Sequence, residues 1–269
     1  MAAEAPDTTV RVRLTVAYDG SGFHGFAPQP DRPTVAGALA GAIERVVGAP
    51  VRLTCAGRTD AGVHAWGQVV HADLPAPLGD DGEGTGALDP AGLARSCTAL
   101  LGPAIVVREA RVAPPGFDAR RSALSRRYRY SILAGPSMDP LLAGRVWHVA
   151  DRLDRRALAA ATDPLLGEHD FAAFCKRPPD GGSLVRRVLD ARWSASRVRA
   201  GELLAFDIEA GSFCHQMVRS VVGTLVEVGR GRRRAGDLVG ILGAGDRSLA
   251  GPVAPPEGLC LWAVRYPEA

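Results

Sequence analysis

The sequence predicts an α+β fold in two domains. Three observations carry this expectation. Several segments alternate apolar and polar side chains at the period of a half-buried strand, others carry apolar residues at helical spacing between recognisable caps, and one order of elements recurs on either side of Pro114-Pro115. With 269 residues, 46% of them hydrophobic, the chain can bury a core without help from a partner.

In the first half, Val10, Val12, Leu14, Val16 and Tyr18 alternate with Arg11, Arg13, Thr15 and Ala17, which reads as a strand with one buried face. Thr34 then caps a helix whose stripe of Val35, Leu39, Ile43, Val46 and Val47 stops at Gly48. Residues 51–55 and 63–73 read as two strands joined through a turn at 57–62, a hairpin. Asp89 as cap and Pro90 at the first helical position open a second helix that ends near Gly102, and residues 104–112 form a fourth strand. The order β-α-β-β-α-β is that of a ferredoxin-like unit.

The second half repeats the order without a residue-level repeat. Residues 126–133 alternate as a strand, 154–166 form a helix stopped by Gly167, and strands at 184–196 and 203–209 flank a turn at 199–201. Phe213, Met217, Val221, Leu225 and Val228 place a helix over 213–228, followed by a short helix at 235–242 and a last strand at 259–266. The expected architecture is therefore two ferredoxin-like domains, residues 1–113 and 114–269, with antiparallel sheets that meet at a central cleft.

Composition narrows the function classes. The chain has 32 basic and 29 acidic residues, a formal charge of +3, and Lys176 is its sole lysine. Arginine in place of lysine fits phosphate recognition and base stacking, but a G/C-rich coding sequence explains it as well. Arg120, Arg121, Arg126, Arg127 and Arg129 form one cluster and Arg230, Arg232, Arg233 and Arg234 another; both fit either a nucleic acid or a solvated face. Gly229-Arg230-Gly231 could touch a phosphate, although glycine after a helix is more often a stop. The five cysteines lie far apart with no C-x-x-C pair, so neither a disulfide framework nor a thiolate zinc site is expected, and a reducing cytoplasm fits. Residues 1–9 lack the basic start of a signal peptide, and no apolar run reaches the roughly 18 residues of a membrane helix. The six histidines show no metal-ligand spacing, and neither a G-x-S-x-G elbow nor a Walker loop occurs, so no metal site is expected.

The segment Cys55-Ala56-Gly57-Arg58-Thr59-Asp60-Ala61-Gly62-Val63-His64 is the best candidate for chemistry. Its glycines permit a tight turn and close approach of a ligand, and Arg58 beside Asp60 favours an ionised carboxylate able to act as nucleophile or base. A hairpin turn in which Asp60 bonds its own backbone is the competing reading. Tyr128 and Tyr130 share one face of their strand and Arg127 and Arg129 the other, an arrangement compatible with stacking on an unpaired base or with simple core packing. Arg219 sits on an otherwise apolar helix, where its stem either snorkels to solvent or lines a cleft and needs a carboxylate such as Asp60.

Together these segments resemble the TruA family of tRNA pseudouridine synthases almost from end to end. Tyr18-Asp19-Gly20 with Phe23, Gly25 and Thr34-Val35 is similar to the family's opening. Gly57-Arg58-Thr59-Asp60-Ala61-Gly62-Val63-His64 with Gly67-Gln68-Val69 is similar to its signature loop. Arg127-Tyr128-Arg129-Tyr130, Gly167-Glu168-His169-Asp170-Phe171, Phe213-Cys214-His215-Gln216-Met217-Val218-Arg219 with Gly223, and Pro255-Pro256-Glu257-Gly258-Leu259 follow in family order.

The resemblance implies an isomerase that breaks the bond between ribose and uracil N1, turns the base and rejoins it through C5, with no cofactor. It implies Asp60 as the essential carboxylate, attacking C1′ or deprotonating C2′, and Tyr128 as the ring that stacks on the target base. It also implies Arg219 as the partner of the aspartate and Arg58 as an aid in holding the base outside the helix. A flipped uridine on the 3′ side of the tRNA anticodon stem-loop, a homodimer gripping one tRNA, and arginine clusters that track its phosphates complete what the resemblance implies. The chain departs from the family at Phe26-Ala27, where a Trp-Gln pair is usual, near Thr98, where an asparagine is usual, and over 75–88, which is longer than typical.

Overall fold

The computed structural model describes residues 9–75, 89–177 and 181–267. It is an α+β protein whose chain divides into two compact units, one running to Leu124 and taking in Ala263 onward, the other spanning Ser125–Trp262. The sequence-based boundary falls at 113/114. Residues 114–124 join the first unit because Phe117 and Ala119 pack with Ala56 and Val69, and because Arg11 Nη1 donates to the Phe117 carbonyl at 2.8 Å. The Tyr266 hydroxyl likewise donates to the Ala119 carbonyl at 2.6 Å, which brings the chain end back to this unit.

The first unit contains β1 (Thr9–Tyr18), α1 (Val35–Val47), β2 (Thr54–Cys55), β3 (His64–Pro75), α2 (Pro90–Leu101) and β4 (Ile105–Val112). Its strands run in the order β4-β1-β3-β2, each antiparallel to its neighbour. The alternation in β1 buries Val12, Leu14 and Val16 completely, and Leu39 and Ile43 of α1 with Leu93 of α2 complete the core. Thr34 and Asp89 cap their helices as expected, Thr34 by accepting from the Gly37 N–H and Asp89 from those of Ala91 and Gly92. The expected strand over 51–55 is reduced to Thr54–Cys55, because Val51 N–H is taken by Glu44 Oε1 at 2.9 Å. Of the long stretch noted at 75–88, all but Pro75 lies outside the described residues. At Thr98 the hydroxyl accepts from Val107 N–H at 3.0 Å and ties α2 to β4, so this departure keeps a polar link.

His71 on β3 is buried and accepts the Ala119 N–H on Nδ1 at 3.0 Å, which requires the neutral ring at that nitrogen. Burial, followed by the nearby Arg11, lowers its pKa below the ordinary histidine value of 6.5, against the opposing pull of Asp118 and Asp73. The unfolded chain therefore binds the proton first: stability is full above pH 6.5 and falls as pH drops from there towards the lowered folded pKa. Urea midpoints should decline between pH 7.5 and 5.5, and an NMR titration should place His71 below 6.5; a normal or raised value would contradict this.

The second unit contains β5 (Ser125–Ala134), β6 (Trp147–Val149), α3 (Arg155–Thr162), β7 (Gly167–Asp170), β8 (Val185–Val198), β9 (Gly201–Ala210), α4 (Met217–Gly229), α5 (Asp237–Ala244) and β10 (Leu259–Arg265), the last three residues of which belong to the first unit. The order within the unit is β10-β5-β9-β8-β7. Two short strands, β6 and β7, escape the sequence reading. β6 pairs with β5 in parallel, so an entirely antiparallel sheet is a correction to make; residues 135–146 supply the dozen-residue connection that parallel pairing needs. The helix expected over 154–166 ends at Thr162 and tightens into a 3₁₀ turn at Asp163–Leu165, since Pro164 has no N–H to continue it. The helix expected over 213–228 begins only at Met217. Gln216 adopts φ 65°, a left-handed conformation that no helix interior admits. Among the described residues no helix is long and apolar enough to cross a membrane.

Candidate active site

The loop between β2 and β3 is built to present Asp60. Gly62 takes φ 76° and Val63 N–H closes a turn on the Asp60 carbonyl at 3.1 Å, while Ala56 N–H bonds the Val69 carbonyl at 2.8 Å at the loop base. Inside the loop, Gln68 is fully buried and donates through Nε2 to the Gly57 carbonyl at 2.6 Å. The Thr59 hydroxyl, also buried, pairs with the Tyr18 hydroxyl at 2.7 Å. Thr59 thus points into the core, while Arg58 is exposed and Asp60 half-buried. Burial pushes the Cys55 thiol at the loop base up to about 11, against the pull of Arg58.

A second segment, residues 19–26, braces the loop from outside. Phe26 N–H donates to the Thr59 carbonyl at 3.0 Å and Gly62 N–H to the Phe23 carbonyl at 3.4 Å. Gly20 N–H donates to His64 Nδ1 at 3.0 Å. These approaches exclude side chains: a Cβ on Gly20 would sit 2.1 Å from the Val63 carbonyl oxygen, and one on Gly25, whose φ is 92°, 2.8 Å from that of Thr59. The sequence motifs Tyr18-Asp19-Gly20 and Gly25 are therefore parts of the loop's support. At the Phe26-Ala27 departure, the Phe26 ring is buried with its centroid 6.3 Å from that of Tyr18, so apolar backing of the loop is retained.

Tyr128 and Arg219 belong to the second unit. Tyr128 lies on β5 opposite Ile208 of β9, nearly buried, with the Phe213 ring perpendicular to it at 5.1 Å. Arg219, in the first turn of α4, does not simply extend to solvent: it is half-buried and its Nε donates to the Ala254 carbonyl at 2.7 Å. Ala254 N–H returns a bond to the Arg219 carbonyl at 3.0 Å. The backbone strap Gly251–Gly258 that carries Ala254 is itself held at three points. Gly251 N–H donates to Thr224 Oγ1 at 2.8 Å, Pro252 lies against Gly223, and the Tyr130 hydroxyl donates to the Pro255 carbonyl at 2.7 Å. Burial, with Glu257 nearby, pushes the Tyr130 hydroxyl well above the usual phenol range, which keeps it a donor. Gln68, Tyr130, Gly223 and residues 255–258 of the strap were legible in the sequence only as motif positions; the contacts by which they support the loop and Arg219 were not.

The structure gives several clustered arginines partners and corrects one expectation, about sulfur. Arg127 pairs with Glu209 at 2.7 Å and Arg129 with Asp207 at 2.9 Å, each a two-nitrogen contact, and Arg129 also covers the Trp262 ring at 4.2 Å. Arg126 is buried and donates to the Gly211 carbonyl, and Arg230 and Arg232 share Glu227. Acidic partners distant in sequence pair with Arg127 and Arg129, and the neighbouring Glu227 with Arg230 and Arg232, so of the first group Arg120 and Arg121 stand exposed. Gly231, at φ 72°, bonds back to the Val228 carbonyl and ends α4, the stop reading of that glycine. Cys175 and Cys214 are joined as a disulfide across 39 residues, Cα atoms 5.8 Å apart, where none was expected. Nothing in their spacing reveals a pair that only folding brings together. Among the described residues no group of three or more His, Cys, Asp or Glu could hold a metal ion.

Comparison with known proteins identifies the chain's relatives. A family model described as tRNA pseudouridine synthase matches residues 161–267. The tRNA pseudouridine synthase A of Frankia casuarinae is 47% identical over 265 residues, covering 97% of this chain and 91% of that protein. Its counterparts in Methylobacterium nodulans (43%, covering 96% and 97%) and Caulobacter vibrioides (44%, covering 95% and 98%) are similarly close. Among solved structures, a Cbf5-Nop10-Gar1 complex matches at 13% identity and a TM-score of 0.31, over 80% of this chain and 45% of that one, a distance that carries no conclusion. With relatives of this identity aligned along nearly its whole length, the chain belongs to the tRNA pseudouridine synthase A family, whose members are isomerases.

Proposed function

We propose that this isomerase converts uridine to pseudouridine on the 3′ side of the tRNA anticodon stem-loop, using the Asp60 carboxylate on a uridine flipped from its stack. In this reading Asp60 either attacks the ribose C1′ or takes the C2′ proton, Tyr128 stacks on the uracil, Arg219 pairs with the carboxylate, and Arg58 helps to hold the displaced base. The family resemblance implies that no cofactor enters. Flipping costs a few kcal/mol, and a stacking ring with a guanidinium offsets it. The domain division, two ferredoxin-like units with the aspartate loop in the first, belongs to the same proposal, as do a cytoplasmic homodimer and phosphate contacts by exposed arginines.

The single observation that carries this reading is the loop's construction. Two buried polar side chains, Gln68 and Thr59, and two close glycine approaches are spent on a turn that carries the exposed Arg58 and the half-buried Asp60. A plain hairpin turn needs none of them. The test is to incubate the protein with an unmodified tRNA transcript and map pseudouridine by mass spectrometry. Modification confined to the 3′ side of the anticodon stem supports the reading, modification elsewhere overturns its site, and release of free uracil would mean hydrolysis instead.

A further inference from the structure

Phe213 meets Tyr128 with ring centroids 5.1 Å apart and planes at 88°. It lies on the connection between β9 and α4, residues 211–216, and that connection is held from three directions. Cys214 is bridged to Cys175, the His215 carbonyl accepts Lys176 N–H at 3.0 Å, and Gln216, at φ 65°, accepts Ser220 N–H on its carbonyl at 2.9 Å to start α4. A non-glycine residue in that conformation persists only where its surroundings hold it there. Half-exposed loops do not ordinarily receive a covalent tie, a cross-segment backbone bond and a strained residue within four positions. Their common result is to fix where the Phe213 side chain stands.

Fixing it matters because of how tyrosine moves. The torsion that turns a tyrosine ring about its Cβ–Cγ bond has a broad minimum, so the strand backbone sets where Tyr128 is but not the plane of its ring. A ring that must lie flat on a uracil needs that plane defined before the base arrives. A perpendicular aromatic neighbour defines it from one side. We propose that Phe213 is a positioning residue that sets the plane of the Tyr128 ring for base stacking, held there by the backbone bond between Lys176 and His215 and the left-handed turn at Gln216. The inference rests on the stacking role of Tyr128 proposed above.

Steady-state kinetics on an unmodified tRNA transcript test it. Phe213→Leu keeps the apolar volume and removes the planar ring; it should lower kcat about tenfold, since misplacement by about 1 Å can cost ~10²-fold. KM for tRNA should stay within about twofold, because grip on the phosphates is untouched. Phe213→Tyr should restore kcat to within about twofold of the parent. Leu158→Ala, a fully buried change on α3, controls for loss of stability: it should lower Tm and leave kcat near the parent value. Unchanged kcat in Phe213→Leu, or an equal loss in Leu158→Ala, would overturn the positioning role. Tyr128→Ala separates the two readings: full activity there removes the stacking role and this inference with it, whereas an inactive Tyr128→Ala beside a fully active Phe213→Leu removes the inference alone.

Discussion

Asp60→Asn is expected to reduce pseudouridine formation by at least ~10³-fold while tRNA binding survives. Asparagine has the same shape, and the turn is closed by the backbone bond from Val63 N–H to the Asp60 carbonyl, which the substitution leaves in place. The rest of the loop is held by Gln68, Tyr18 and Phe26, none of which depends on the carboxylate. What disappears is the carboxylate that the proposed mechanism uses as nucleophile or base. Product mapping on a tRNA transcript, a filter-binding isotherm and a melting curve check the three parts separately. Parent-level product from Asp60→Asn would end the proposed mechanism.

The second large effect is expected at Gly223→Ala. A Cβ there would lie 1.7 Å from the Pro252 carbonyl oxygen, and both groups are backbone, so no side-chain rotation relieves the clash. Either α4 or the Gly251–Gly258 strap must move. Overpacking of this kind costs ~1–3 kcal/mol or more, and the strap carries the Ala254 carbonyl that holds Arg219 Nε. Gly223→Ala should therefore lower both Tm and kcat. Tyr130→Phe is the gentler counterpart: it removes only the hydroxyl that donates to Pro255 and should cost ~1–2 kcal/mol, with a smaller loss of kcat. A Gly223→Ala protein with the parent's Tm and rate would show that the strap does not position Arg219.

Much of the fold was legible locally. The cap at Thr34, the Asp89-Pro90 helix start, the alternation of β1 and the opposite faces of Tyr128 and Arg127 each follow from residues within a few positions of one another. Failures came where a distant partner decides. In the sequence Arg127 and Arg129 fit a nucleic-acid patch or a solvated face equally, and only the paired strand brings them Glu209 and Asp207, some eighty positions on. The apolar spacing of 213–228 is helical throughout, yet Gln216 turns the other way and the helix starts late. The four-residue β7 and three-residue β6 are too short to show a period, so strand pairing alone establishes them.

The amino-acid order by itself determined the class of the fold, the helix caps and the loop that bears Asp60, because backbone preference, periodicity and glycine placement act over a handful of neighbours. Only the tertiary structure decided which arginines are neutralised, which cysteines meet, and why Gly20, Gly25 and Gly223 have no side chain. Those outcomes depend on contacts between segments tens of residues apart, where the space left by one backbone sets what the other can carry.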